Sequence, residues 1–269
     1  PPRSTLFPYT TLFRSDGTLC CSDLSGLPED LQAFARLIIE QNEDSVLIRR
    51  TEDLHRIYGG RISVLPPDTR HVDYEVIPLN IADGCLYRCA FCSVKSGLHF
   101  KPRDTGDVLR QLNELKTFYG PNLQNLNAVF IGNHDALAAG VDRIVFAAEK
   151  AFEMFGFGNH RGGKPSLFLF GSAGAFLKAE DRVFETLNRL PYATFINLGL
   201  ESFDDPTLKR LGKPIDRTMV TQSLERMVHL NETLEQVEIT ANFLLGTTFT
   251  EAHHQSLVEI LGSVPKKPG

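Results

Sequence analysis

The sequence predicts an α/β protein, a partial parallel (β/α) barrel preceded by a small N-terminal α/β segment, and three observations predict it. From Tyr74 onward, short apolar runs rich in β-branched and aromatic residues recur at βαβ spacing, each followed by a helical pattern. The break Pro66-Pro67-Asp68 separates them from a differently patterned stretch before it. A hydrophobic share of 42%, with 23% charged residues over 269, suffices for a core of that size and excludes a disordered or fibrous chain.

The elements follow in order. Thr5–Ser15 (TLFPYTTLFRS) reads as the translation of a common sequencing-library adapter, so residues 1–15 are expected to be an artefact and are set aside. Pro28–Gln41 opens with Pro and acids and then repeats apolar residues at helical spacing, which predicts an amphipathic helix. Ser45–Ile48 and Arg61–Leu65 predict short strands around a further short helix, and a boundary near Pro67 divides a segment 16–67 from a core 68–269. Five core strands are expected, at Glu75–Ile81, Asn127–Ile131, Ser166–Phe170, Thr194–Leu200 and Glu238–Leu245. Helices are expected at Thr105–Phe118, Val141–Phe155, Ala179–Arg189, Thr218–Asn231 and Thr250–Leu261, several opened by capping Asp or Thr.

Parallel strands of a barrel present their functional loops at their C-terminal ends, and the cysteines follow the first strand. Cys85, Cys89 and Cys92 form C-x-x-x-C-x-x-C in GCLYRCAFC, with Gly84 allowing a tight turn. Cys20 and Cys21 are adjacent and read as incidental. In a chain with no signal peptide and no apolar run of membrane-spanning length, read as cytoplasmic, this spacing points to metal binding rather than disulfides. An iron–sulfur cluster with three protein thiolates leaves one iron open to coordinate something else. The alternative is a zinc- or cluster-binding scaffold, with His99 as fourth ligand in the zinc case. It lacks the two-plus-two spacing of common structural zinc motifs. The net charge of −5 argues against nucleic acid as a partner, and the basic stretch Lys95–Arg103 reads as a solvated loop.

In spacing, and in the aromatic Phe91 before the last cysteine, this segment resembles the radical S-adenosylmethionine (SAM) superfamily. The resemblance implies a [4Fe–4S] cluster on Cys85, Cys89 and Cys92, whose open iron is chelated by the amino and carboxylate groups of SAM. Reduction, by a donor such as flavodoxin or ferredoxin, would then give a 5′-deoxyadenosyl radical that abstracts hydrogen from a substrate the sequence does not name. Later loops carry further matches. Gly132, Asn133, His134 and Asp135 fall where the family has a turn facing the SAM amino group. Glu201 and Ser202, in GLESF, resemble the Gly-x-Glu-Ser-Gly motif of the branch holding oxygen-independent coproporphyrinogen oxidases and tRNA methylthiotransferases, with Phe203 in place of the second glycine.

Glu201 is the first choice for a catalytic acid, and its bland alternative is a rim ion pair with Lys209 or Lys213. Leu245 and Gly246 resemble the turn that contacts adenine, although Thr247–Thr250 depart from it. Ser172, between Gly171 and Ala173, is small enough for close cofactor approach. The family barrel commonly has six βα units, so the chain is expected to be truncated at its C-terminus and inactive by itself. Only Cys20 and Cys21 are available for the second cysteine set of a methylthiotransferase, which disfavours that activity.

Overall fold

In the computed structural model, residues 28–62, 76–87, 89–92, 99–132, 135–159, 163–246 and 248–263 are described. The boundary at Pro67, residues 1–15, Cys20, Cys21, Asn133 and His134 lie outside these residues. Two compact units divide between Arg56 and Ile57.

The first unit is helical among its described residues. Helix α1 spans Glu29–Gln41 and α2 spans Asp44–Tyr58, reaching into the second unit. Ser45–Ile48, expected as a strand, is instead the start of α2. Among the described residues the run Val46-Leu47-Ile48 has no strand to pair with, and Leu47 and Ile48 are exposed. Asp44 in the first turn and His55 and Arg56 in the last suit the helix dipole. Arg61 and Ile62 are irregular, and the rest of the strand expected at Arg61–Leu65 lies outside the described residues.

The second unit is built on one five-stranded sheet. Strands β1 (Ile77–Leu79), β4 (Ala128–Ile131), β5 (Ser166–Ser172), β6 (Ala193–Glu201) and β7 (Val237–Phe243) lie side by side in that order, every pair parallel. Between β1 and β4 comes a short antiparallel ribbon, β2 (Ala82–Asp83) with β3 (Lys101–Pro102), which the sequence did not disclose. Helices α3 (Thr105–Tyr119), α4 (Val141–Phe155), α5 (Ala173–Lys178), α6 (Asp181–Asn188), α7 (Asp205–Arg210), α8 (Arg217–Thr233) and α9 (Glu251–Ser263) complete the βα succession. Sequential parallel order with helical crossovers is the wall of a (β/α) barrel.

Strand alternation divides the sheet into two chemically different faces. Leu167, Leu169, Ile196, Leu198 and Leu200 are fully or almost fully buried on one face, and α4 packs on β4 as α8 packs on β7. On the other face, one row joins Phe130, Phe168, Phe195 and Glu238 across four strands. Phe168 stacks on Phe195 at 5.0 Å between centroids. The next row turns polar, and Asn197 donates to Thr240 Oγ1 at 2.8 Å and accepts from Asn242 Nδ2 at 2.8 Å. The alternation in SLFLFGS and ATFINLGLE supplies both faces at once.

The chain leaves the sheet for the cysteine loop through a rigid root. Gln111 of α3 is fully buried, accepts the Asn80 N–H at 3.0 Å and donates to the Asn80 carbonyl at 2.9 Å. Its amide thereby satisfies the backbone just past β1. Arg103 closes the ribbon, with Nη2 2.6 Å from Asp83 Oδ1, Nη1 2.8 Å from Asp107 Oδ2, and its N–H on the Ile81 carbonyl at 2.9 Å. Read from sequence as part of a solvated loop, Arg103 is thus a mostly buried clamp, because two acids converge on its fork. The substitution Gln111→Leu keeps the volume but strands two buried backbone groups. It is expected to cost roughly 2–4 kcal/mol in denaturant unfolding, and a loss below about 0.5 kcal/mol would contradict this role.

Candidate active site

The cysteine loop lies across the C-terminal end of the sheet and is held there by backbone and ring contacts. The Ala90 N–H donates to the Leu211 carbonyl at 2.7 Å, tying the loop to the segment after α7. The Tyr87 hydroxyl accepts the Gly174 N–H at 3.0 Å, at the start of α5. A Cβ at Gly174 would sit 2.7 Å from that hydroxyl, so glycine is required for the approach. The Lys213 ammonium lies 5.8 Å from the centre of the Tyr87 ring, within reach of its π face.

Cys89 is buried, and Cys85 and Cys92 are partly so. Burial pushes the Cys85 thiol up, its bond from the Tyr87 N–H opposes this, and Asp135 and the other two cysteines raise it further. Burial likewise raises Cys89, opposed by Lys213 and reinforced by Glu201 and Cys92. Cys85 thus feels the acid after β4, and Cys89 feels the charges at the end of β6. Among the described residues, no three His, Cys, Asp or Glu side chains converge as ligands of a single ion would. His99, the fourth ligand of the zinc reading, is exposed. A cluster instead takes each thiolate on a different iron.

At the end of β6 the backbone is strained. Glu201 is the only non-glycine with positive φ among the described residues, at φ 69°. The Ser202 N–H bonds back to the Leu200 carbonyl at 2.9 Å, which makes Glu201 the centre of a γ-turn of the rare positive-φ kind. Such a conformation costs about 1–3 kcal/mol and persists where surrounding contacts hold it. Here the turn folds the carboxylate back toward Gly199, where Oε1 meets Lys213 Nζ at 3.0 Å with both side chains buried. A Cβ on Gly199 would lie 2.6 Å from that oxygen and 3.0 Å from the ammonium. The pair thus occupies the space glycine leaves.

After β4, Gly132 takes φ 82° and gives its N–H to the Leu79 carbonyl at 2.7 Å. Asp135 is 2% exposed. Its Oδ1 accepts the Ser172 N–H at 3.0 Å and the Ala138 N–H at 3.3 Å, while Oδ2 is buried with no hydrogen-bond partner among the described residues. Burial holds this carboxyl above the usual carboxylate range, against the bonds from Ser172 and Ala138 and the charge of Lys213.

The sequence between residues 79 and 260 matches the radical SAM superfamily model. The chain belongs to the radical SAM superfamily. No curated protein matches the chain. Among solved structures it is similar to the cobalamin-dependent S-adenosylmethionine radical enzyme OxsB with aqua-cobalamin bound, at 18% identity and a TM-score of 0.49, over 68% of this chain and 26% of that one. It is also similar to the radical S-adenosylmethionine methyltransferase TsrM from Kitasatospora setae with cobalamin and [4Fe-4S] cluster bound, at 13% identity and a TM-score of 0.48, over 69% of this chain and 34% of that one. Methylornithine synthase (PylB) follows at 12% identity and a TM-score of 0.45, over 85% and 59%. The chain spans about a quarter of OxsB and a third of TsrM.

Radical SAM membership implies a [4Fe–4S] cluster and SAM, and the residues present fit both. Three thiols within eight residues suit the cluster, and the unpaired Asp135 oxygen suits a cationic group. Of the residues named from sequence, the structure joins Asp135 to Ser172, whose hydroxyl caps α5, and leaves Cys89 within electrostatic reach of Glu201. It does not gather all. Phe91 and Leu245 are exposed at 44% and 79%, Gly246 is also exposed, and the buried Ser202 hydroxyl turns toward α9. Sequence reasoning missed Tyr87 and His253, and offered Lys213 only as one of two partners for Glu201. A lysine twelve residues beyond a rim acid is signal enough to suggest a pair, but not which lysine takes part. Among the described residues no helix is long and apolar enough to cross a membrane.

Two measurements check this arrangement. Glu201→Gln leaves the buried Lys213 ammonium without its counter-charge and is expected to destabilise by about 3 kcal/mol, much of it recovered on adding Lys213→Met. An unchanged unfolding midpoint in the single variant would contradict a structural pair. For Asp135, the raised folded pKa means the folded chain keeps the proton to higher pH than the unfolded chain. Its contribution is complete below the ordinary carboxylate value of about 3.9 and is lost as pH rises through the folded value. The stability of Asp135→Asn relative to the unmodified protein should therefore improve with rising pH over that window, and a constant difference would contradict the assignment.

Proposed function

We propose that Cys85, Cys89 and Cys92 ligate a [4Fe–4S] cluster at which SAM is bound and reductively cleaved for hydrogen abstraction from a substrate. The observation that carries this is the docking of the cysteine loop by Tyr87 and Ala90 over the end of the sheet, with Cys89 in the field of the Glu201–Lys213 pair. A cluster held by these cysteines would supply one electron to the SAM sulfonium, breaking its sulfur–C5′ bond to release methionine and a 5′-deoxyadenosyl radical.

The chain's own residues bind and exclude. Asp135 Oδ2, buried and unpartnered, is an acceptor for the SAM ammonium. The Glu201 carboxylate has Oε1 committed to Lys213, and its second oxygen is an acceptor for a ribose hydroxyl. The Lys213 ammonium pairs with that carboxylate and offsets negative charge beside the cysteine loop, where a reduced cluster would be more negative still. On the sheet's second face the phenylalanine row is packed as core, and nearer the rim the Asn197–Asn242 pair, with Asn242 partly exposed, offers polar groups that a substrate can meet. The reductant is a low-potential one-electron donor of the flavodoxin or ferredoxin kind, and the compartment is the cytoplasm.

The test is anaerobic reconstitution of the full-length gene product. About four iron and four sulfide per chain are expected, with 5′-deoxyadenosine formed on adding SAM and dithionite, and Cys89→Ala should abolish both. One zinc per chain without sulfide, and no cleavage of SAM, would show a metal-binding scaffold instead.

A further inference from the structure

We propose that His253 is a positioning residue that locks the strained turn at Glu201 and the start of the loop after β7 into the shape SAM requires; this rests on the reading of the site given above. His253 is fully buried in the first turn of α9, and both of its ring nitrogens are engaged. Nε2 lies 2.9 Å from the Leu244 carbonyl oxygen. A carbonyl can only accept, so Nε2 carries the proton. In the neutral imidazole Nδ1 is then the acceptor, and the Ser202 hydroxyl 2.7 Å away donates to it, while accepting the Asp204 N–H at 2.9 Å.

These bonds close a ring around the strained residue. The Leu244 N–H donates to the Glu201 carbonyl at 3.0 Å, and the Leu244 carbonyl is held by His253. Ser202, whose N–H closes the γ-turn, is held through its hydroxyl by the same imidazole. Glu201 is thus gripped through its own carbonyl and through the residue after it, and both grips end on one ring. Phe249 packs on that ring at 4.7 Å between centroids, and separately the Phe203–Phe243 stack at 5.0 Å bridges the same two strand ends.

A φ of 69° at a glutamate is not self-sustaining. Without the imidazole, the Leu244 carbonyl and the Ser202 hydroxyl lose their buried partner, and the turn can relax to negative φ. The Glu201 carboxylate would then leave its place beside Lys213 and Cys89. Leu245 and Gly246 follow Leu244 directly, so the same latch sets where that loop begins.

The experiment compares His253→Phe, His253→Gln and Ser202→Ala with the unmodified full-length protein. Hydrogen exchange of the Leu244 amide reads the latch without any ligand. It is expected to quicken about tenfold in His253→Phe, to return partway in His253→Gln, which restores a donor toward the carbonyl, and to leave β4 and β5 unchanged. In the reconstituted proteins, iron and sulfide content should stay constant. SAM affinity, read from the change it causes in the EPR signal of the reduced cluster, should weaken about tenfold in His253→Phe and Ser202→Ala and recover partly in His253→Gln. If His253→Phe does not fold, Ser202→Ala decides by the same two readouts. Unchanged local exchange with unchanged affinity would overturn the proposal. Failure of the unmodified protein to bind SAM would instead overturn the reading of the site, while exchange would still report on the latch.

Discussion

The ion pair between Glu201 and Lys213 lies where three segments meet: the end of β6, the turn after α7 and the cysteine loop. Buried pairs are weak sources of net stability, since desolvation offsets most of the attraction. What this one supplies is position. Its ammonium faces the Tyr87 ring, its carboxylate fills the space Gly199 leaves open, and the carbonyl of Leu211, two residues before the lysine, receives the Ala90 N–H. The cysteine loop therefore rests against a rim that includes a buried charge pair.

Beneath that rim the sheet is conventional in its physics. Alternation buries aliphatic residues under the helices and leaves a phenylalanine row and an amide ladder on the second face. The rim departs from local preference at Glu201, which lies at the place proposed above for the cluster and SAM. Strain is tolerated there because neighbours specify it: Gly199 makes room, Lys213 holds the side chain, and Leu244 with Ser202 holds the backbone.

Much of this was legible in the sequence. Runs such as SLFLF and AVFI announce strands because aliphatic and aromatic residues fill a short span between turn signals, and helix α4 begins and ends where its periodicity does. The cysteine motif stood out by its spacing, and its ligation of a cluster is the proposal made above. The β2–β3 ribbon was not, being two residues long on each side and fixed by Arg103, whose acidic partners Asp83 and Asp107 lie twenty and four residues away. The helix at Asp44–Tyr58 overrode a β-branched run too short to find a partner. His253 carries no local signal at all, for it is one of two adjacent histidines and only the tertiary fold makes it the buried one. Nor does sequence reveal that Glu201 takes a positive φ, a conformation usual for glycine and rare for glutamate.

The central claim is that SAM binds directly to a cluster held by this rim. Pulsed EPR of the reduced, reconstituted full-length protein with SAM labelled in its amino nitrogen or carboxylate oxygen tests it most directly. The account predicts a hyperfine coupling between the label and the cluster spin, as expected when those atoms ligate the open iron. A cluster signal unaffected by saturating labelled SAM would contradict it.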